Sequence, residues 1–337
     1  MSSGRVTIKD IAAEAGVSVS LVSFVMNNNV GANGRVYRVN EETARKIREV
    51  AARLDYHPNS AARSLRSGKT RMIGVILSDI SNNFFAEMAR CIEDAASQNG
   101  YVVFFGSSDE DPAKFDSIVR TIMLRGVDGL IVVPCEKSVR TIKMIAESGV
   151  PFVLLDRDVD GVEANTVLLN NRKAGHMATS RLLAEGCRKV MMVSYAMRLS
   201  NIIDREAGYR DAMAEYGYAD NAIVHNIRFR NIPAQMEKVM ADALERGVDG
   251  IVFATNTLTI QGVKCMREKM PGMFRKIKIV AFDESEAFSL SDCKISYIRQ
   301  PVELFGSESV RILIDNITNG TKQIVNTTLS PQFVEIN

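Results

Sequence analysis

The sequence predicts two architectures in one chain, an all-α helix-turn-helix headpiece and then an α/β body of two lobes built on Rossmann-like parallel sheets. Three observations carry this reading. Near the N-terminus apolar residues recur with helical period and are interrupted by a glycine. From Met72 onward short apolar runs alternate with amphipathic segments, the pattern of βαβ units. One eight-residue stretch of the body then recurs further along, as two copies of one design would require. At 337 residues the chain has room for two or three domains of ordinary size.

Ile8, Ile11, Ala12 and Ala15 form the apolar stripe of a short first helix, with Thr7 placed to cap it. Gly16-Val17-Ser18 breaks the stripe, and Ser18 can cap a second helix whose inward face is Val22 and Val25. A loop rich in Asn and Gly precedes a third helix from about Glu41 to Leu54, with Ile47, Val50, Ala51 and Leu54 on one face. Pro58 then stops regular structure. Asn59 can cap a helical turn or two through Ala62, Leu65 and Arg66, ended by Gly68, a piece too short to be stable alone. Residues 1–56 are thus expected to be the headpiece, 57–70 a hinge helix with its linker, and 71–337 the body.

In the body the apolar runs are 73–77, 101–105, 129–133 and 151–155, then 190–193, 250–253 and 277–282. Arg125-Gly126-Val127-Asp128-Gly129-Leu130-Ile131-Val132 returns as Arg246-Gly247-Val248-Asp249-Gly250-Ile251-Val252-Phe253, displaced by 246 − 125 = 121 residues. The following strands end in Asp156 and Asp283, displaced by 283 − 156 = 127. Near-constant displacement implies two similar lobes, expected at about 71–166 with 300–325 and at 167–299 with 326–337. Ligands of such sheets bind beyond the carboxyl ends of the strands, so the cleft between the lobes is the expected site.

Charge separates the two parts. Residues 1–71 hold twelve Lys/Arg against six Asp/Glu, whereas the rest holds 30 against 34. A basic segment on a slightly acidic body suits a polyanion, because each cation that neutralises a phosphate releases a condensed counterion. Five scattered cysteines (91, 135, 187, 265, 293) fit neither a disulfide framework nor a CxxC site, and His57, His176 and His225 lie far apart, so no metal is expected. No cofactor is expected either. The N-terminus lacks an apolar signal region and no stretch approaches the ~18 apolar residues that span a bilayer, which points to the cytoplasm.

Thr7-Ile8-Lys9-Asp10-Ile11-Ala12-Ala13-Glu14-Ala15-Gly16-Val17-Ser18, followed by Val22-Ser23 and Asn27, resembles the headpiece of the LacI/GalR family of bacterial regulators. Asp55-Tyr56-His57-Pro58-Asn59-Ser60-Ala61-Ala62-Arg63-Ser64-Leu65 is similar to that family's hinge helix. The resemblance runs from Val6 to about Glu335 and implies a periplasmic-binding-protein-like body, a homodimer, and a pseudopalindromic operator as double-stranded DNA partner. It further implies a small-molecule effector, a sugar or sugar derivative first and a nucleobase-like corepressor as the alternative. Repression is the expected direction of control.

The residues this resemblance assigns to DNA are Thr7, Ser18, Val19, Ser20, Ser23, Phe24 and Asn27 in the headpiece and Asn59, Arg63, Leu65 and Arg66 in the hinge. Leu65 falls where relatives wedge a leucine between base pairs, although it could instead pack on the body. Phe24 replaces the Arg or His of many relatives, so it either touches a thymine methyl or packs on the headpiece. For the effector the resemblance implies Phe84 and Phe85 as stacking residues, and Arg205 and Asp283 as polar anchors or as an interlobe salt bridge. Asp156, Phe229, Asn256 and Gln300 occupy further corresponding positions, while Asn256-Thr257 departs from the family's Asn-Asp pair.

An enzyme would need a phosphate loop or an activated nucleophile, and GxGxxG after a strand, GxxxxGK[ST], GxSxG and HExxH are all missing. A solute-binding protein would share the body but not residues 1–66.

Overall fold

The computed structural model describes residues 6–26, 38–56, 68–291, 293–320 and 323–336. The chain divides into two compact units, Met1–Arg71 and Met72–Asn337.

The first unit holds helices α1 (Ile8–Ala15), α2 (Val19–Met26) and α3 (Glu41–Arg53). Gly16 turns the chain between α1 and α2 at φ 71°, a left-handed conformation that costs glycine little and other residues more. Asn40 caps α3 by accepting from Glu42 N–H at 2.8 Å. Ile11, Ala12, Ala15, Val22, Val25, Ala44, Ile47, Val50 and Ala51 close one small core, with Leu54 packed at its rim. Arg53 at the end of α3 pairs with Glu14 on α1.

The second unit is two six-stranded sheets. The N-lobe sheet contains β1 (Met72–Leu77), β2 (Val102–Ser107), β3 (Gly129–Val132), β4 (Phe152–Leu155), β5 (Asn165–Leu169) and, from the chain end, β11 (Asn326–Leu329), in the order β11-β5-β4-β3-β1-β2. All its pairs are parallel. The C-lobe sheet contains β6 (Val190–Tyr195), β7 (Ile223–Ile227), β8 (Gly250–Phe253), β9 (Lys278–Phe282), β10 (Ile295–Arg299) and β12 (Gln332–Val334), in the order β12-β10-β9-β8-β6-β7. Only β12 runs antiparallel to its neighbour.

Helices cover both faces of each sheet: α4 (Asn83–Gln98), α5 (Pro112–Leu124), α6 (Val139–Ser148) and the late helix α13 (Val302–Asn319) on the N-lobe. The C-lobe carries α7 (Asn171–Ala184), α8 (Ser200–Glu215), α9 (Ile232–Glu245), α10 (Asn256–Lys269) and the short α11 (Pro271–Phe274) and α12 (Glu286–Ser289). One apolar cluster runs through both lobes, and each sheet has a second cluster on its other face.

The chain crosses between lobes three times, at 169–171, 299–302 and 329–332. The lobe boundaries read from the sequence therefore need correction. Residues 167–169 complete β5, and 326–329 form β11 against it with Asn326 opposite Thr166, so both segments belong to the N-lobe. The side chains reinforce this register, since Thr166 donates to Asn326 Oδ1 at 3.0 Å and Val325 N–H to Asn165 Oδ1 at 3.0 Å.

Candidate functional site

The headpiece turns Val22 and Val25 of α2 inward and leaves Ser18, Val19 and Ser20 exposed, with Ser23 and Phe24 half-buried. Thr7 donates its backbone N–H and its hydroxyl to Asp10, both at 2.7 Å, and Ser18 Oγ accepts from Leu21 N–H at 3.2 Å. Those two residues thus fix the starts of the two helices while staying at the surface. Asn27 and the hinge residues Asn59, Arg63, Leu65 and Arg66 lie outside the described residues.

The body holds a cavity of about 180 Å³ between the lobes, room for a small molecule rather than a drug-sized one. It lies where the parallel sheets direct it, beyond the carboxyl ends of strands. Ser78 and Asp79 follow β1, Glu110 follows β2, Asp156 and Arg157 follow β4, Phe229 follows β7, Thr255 and Thr257 follow β8, Asp283 follows β9 and Gln300 follows β10. Phe84 and Phe85 come from the first turn of α4, and Asn201 and Arg205 from α8.

Asp156 and Asp283 stand at equivalent strand ends in the two lobes, and both adopt left-handed backbone, φ 65° and 67°. This uncommon conformation for a non-glycine residue ends the strand sharply and places a carboxylate at the cleft. Asn201 spans the lobes by donating to Asp156 Oδ2 at 3.0 Å. Gln300, at a crossover, donates to Asp283 Oδ1 at 2.7 Å.

Arg205 is only 2% exposed. Its Nε donates to Asn171 Oδ1 at 2.8 Å, its Nη1 donates to Ala254 O at 2.7 Å, and its guanidinium lies 4.1 Å from the Phe282 ring centroid. These contacts hold the plane rigid and engage two of its five N–H groups. Burial pulls the Arg205 pKa down, opposed by Asp283 and Asp156. Burial likewise pushes the Asp283 carboxyl up to about 6 despite the opposing Arg205, and raises Asp156 despite Arg157 and Arg205. Arg205 and Asp283 are thus electrostatic neighbours, yet no direct ion pair joins them among the described residues.

Arg157 forms a buried ion pair with Glu110 at 2.7 Å and donates to Pro134 O at 3.0 Å. Its Nε stands 3.3 Å from Asp156 Oδ2, close enough for ionic attraction but without hydrogen-bond alignment. Phe84 and Phe85 pack edge to face at 5.0 Å, and Tyr195 lies 5.5 Å from Phe229 on the other lobe. Apolar walls thus face each other across a polar floor.

The structure brings Phe84, Phe85, Asp156, Arg205, Phe229, Asp283 and Gln300 together in this one cavity. Asn256 is not part of it. It starts α10 and is buried, but its neighbours Thr255 and Thr257 line the cavity instead. Sequence reasoning missed Asp79, Glu110, Arg157, Tyr195 and Asn201. Three of these, Asp79, Glu110 and Arg157, sit just past strand ends, so the strand-end rule applied to every strand rather than to selected ones would have found them.

No group of three or more His, Cys, Asp and Glu is placed to hold a metal ion, and no helix is long and apolar enough to cross a membrane, among the described residues.

A helix-turn-helix unit joined to a two-lobed, cleft-bearing α/β body defines a DNA-binding transcriptional regulator rather than an enzyme. Residues 7–59 match the family of bacterial regulatory proteins, lacI family, and residues 73–288 match the periplasmic binding protein domain. A ribose operon repressor from Halalkalibacterium halodurans is 32% identical over 317 residues, covering 92% of this chain and 90% of the relative. The chain belongs to the lacI family of bacterial regulators. A lac repressor dimer bound to operator and the anti-inducer ONPF shares the fold at TM-score 0.82 and 21% identity, with 98% of each chain covered. A LacI family transcriptional regulator from Enterococcus faecium with bound ribose superimposes at TM-score 0.69 and 23% identity, over 78% of this chain and 97% of that one.

Proposed function

We propose that this regulator is a cytoplasmic repressor that binds a pseudopalindromic operator as a homodimer and responds to a sugar or sugar derivative held in the interlobe cavity. The observation that carries the effector reading is the cavity itself. Asn201 of the C-lobe already reaches Asp156 of the N-lobe across it, so a ligand seated there touches both lobes and binds their closed arrangement more tightly than an open one. The relative named as a ribose operon repressor and the ribose-bound neighbour support a sugar as ligand.

For DNA, the exposed Ser18, Val19 and Ser20 with the half-buried Ser23 and Phe24 form the reading face of the helix-turn-helix, and the resemblance adds Thr7 and Asn27 as contacts. By the same resemblance residues 57–70 serve as the hinge, with Leu65 as the wedge and Asn59, Arg63 and Arg66 as further DNA contacts. For the dimer, the support is the N-lobe edge strand β2, where Val102, Phe104 and Phe105 are 63, 44 and 37% exposed. An apolar edge of this kind is a feature that monomeric proteins blunt.

Arg205→Ala should retain operator binding in a fluorescence anisotropy titration and lose the effector response. By linkage, the factor by which effector changes DNA affinity equals the factor by which DNA changes effector affinity, and calorimetry with and without operator reads both. An Arg205→Ala protein that responds to effector like the wild type would remove this cavity from the mechanism.

A further inference from the structure

The charge and hydrogen-bonding balance of the cavity restricts its ligand further than the family does. Four carboxylates line it, from Asp79, Glu110, Asp156 and Asp283, against two guanidiniums, from Arg157 and Arg205, and no Lys or His. Arg157 is already committed to Glu110, Asp156 and the Pro134 carbonyl. Acidic groups therefore outnumber uncommitted cations around any ligand.

Orphaned atoms point the same way. Of the buried polar atoms without a hydrogen-bond partner, five belong to cavity-lining residues: Glu110 Oε2, Asp156 Oδ1, Asn201 Oδ1, Gln300 Oε1 and Arg157 Nε. Four are acceptors. Asp156, Asn201 and Gln300 are each at least nine-tenths buried, so water cannot readily serve them. The two amides cannot flip to become donors without cost, since the Asn201 and Gln300 nitrogens are held by the Asp156 and Asp283 carboxylates. The site thus asks its ligand for several O–H or N–H groups, while the remaining Arg205 N–H groups can meet the oxygen of a hydroxyl that donates elsewhere.

Resting on the reading of this cavity as the effector site, we propose that it selects a donor-rich polyhydroxyl compound without an anionic group, a free or amino sugar, and rejects phosphorylated sugars and sugar acids. A phosphate or carboxylate supplies acceptors where acceptors already wait, and adds negative charge to an acidic wall.

The test is a thermal-shift and calorimetry panel on the full-length protein with matched sets: ribose, glucose and fructose, the phosphate of each, the aldonic acids of ribose and glucose, glucosamine, and the nucleobases adenine and guanine. The expected result is a rise in unfolding temperature from at least one free or amino sugar, with its phosphate and acid at least about tenfold weaker. A phosphate, acid or nucleobase that stabilises the protein better than the free and amino sugars overturns the proposal, as does a panel in which no free or amino sugar binds. Repeating any hit with Arg205→Ala separates two failures. A phosphorylated hit lost in that variant leaves the site standing and sinks the charge argument, whereas a hit that survives it places the ligand elsewhere.

Discussion

The two lobes are copies that have diverged where it matters. Both sheets have the same strand order, both place their repeated Arg-Gly-Val-Asp-Gly turn ahead of the third strand, and both end the fourth in an aspartate with φ near 65°. The partners of those aspartates differ. Asp156 in the N-lobe sits beside Arg157, which is itself paired with Glu110, so this wall carries a closed ion cluster. Asp283 in the C-lobe is followed by Glu284 and faces Gln300 and the more distant Arg205, and burial raises its carboxyl to about 6 against the pull of both. The same backbone occurs twice, and the residues one step past the strands give the N-lobe aspartate an ionic neighbour in Arg157 and the C-lobe aspartate an amide partner in Gln300.

The largest expected effect follows from the N-lobe ion cluster. Arg157→Ala leaves Glu110 and Asp156 buried without their cation, a change worth about 3 to 5 kcal/mol where a buried pair is broken from one side. Urea unfolding of the body should show the loss. A variant within about 1 kcal/mol of wild type would mean that water or relaxation serves those carboxylates and that the N-lobe ion cluster is not held by Arg157.

How far this asymmetry was legible beforehand depends on the kind of residue. The internal repeat announced two lobes, and the strongly apolar strands β1, β3, β4, β6, β8 and β9 could be read because both faces are buried. The strands Asn165–Leu169, Ile223–Ile227, Ile295–Arg299, Asn326–Leu329 and Gln332–Val334 went unread. Polar residues such as Asn165, Thr166, His225, Asn226, Ser296, Arg299 and Asn326 interrupt their apolar runs, and three of the five lie at sheet edges where one side faces water. That is why the last lobe crossing was placed too early. Resemblance located Arg205 and Asp283, but nothing in the sequence tells that Arg157 is consumed by Glu110, 47 residues earlier, because that pairing exists only once β2 and β4 share a sheet.

The buried C-lobe aspartate should reveal itself through pH. The ordinary value for Asp283 is 3.8 and the folded value about 6, so the folded state binds the proton more tightly than the unfolded one. Its contribution to stability is therefore fully present at acid pH and is lost as pH rises from about 4 to about 6, at roughly 1.4 kcal/mol per pH unit or about 3 kcal/mol in all at most. Asp283→Asn abolishes this term. Urea denaturation between pH 4 and 7 should show the variant gaining on the wild type over that window and running parallel above it. Parallel curves throughout would mean that Asp283 keeps an ordinary pKa despite its burial.

The smallest effect concerns how each lobe holds its helices. In the N-lobe Gly306 of α13 lies against α4, and a Cβ there would stand 2.6 Å from the Cys91 Cβ. In the C-lobe the approach is closer and made by two glycines. A Cβ on Gly208 of α8 would stand 1.9 Å from the Arg172 carbonyl oxygen of α7, and one on Gly175 would stand 2.1 Å from the carbonyl oxygen of Arg205 itself. Backbone cannot yield as a side chain can, so Gly208→Ala must push α7 and α8 apart. Overpacking of this kind costs about 1 to 3 kcal/mol, and the same is expected of Gly306→Ala. Function separates the two. The α7–α8 crossing is the platform from which Arg205 reaches Asn171 and Ala254, so Gly208→Ala should lose effector affinity beyond its loss of stability, while operator binding, which uses the other compact unit, stays intact. Gly306→Ala should lose stability and keep most of its effector response, because Arg205 keeps its partners. Paired measurements of unfolding midpoint and effector affinity on both variants decide the matter. Equal loss of effector affinity in the two would show that the helix crossing does not position Arg205 and that the lobes respond to crowding alike.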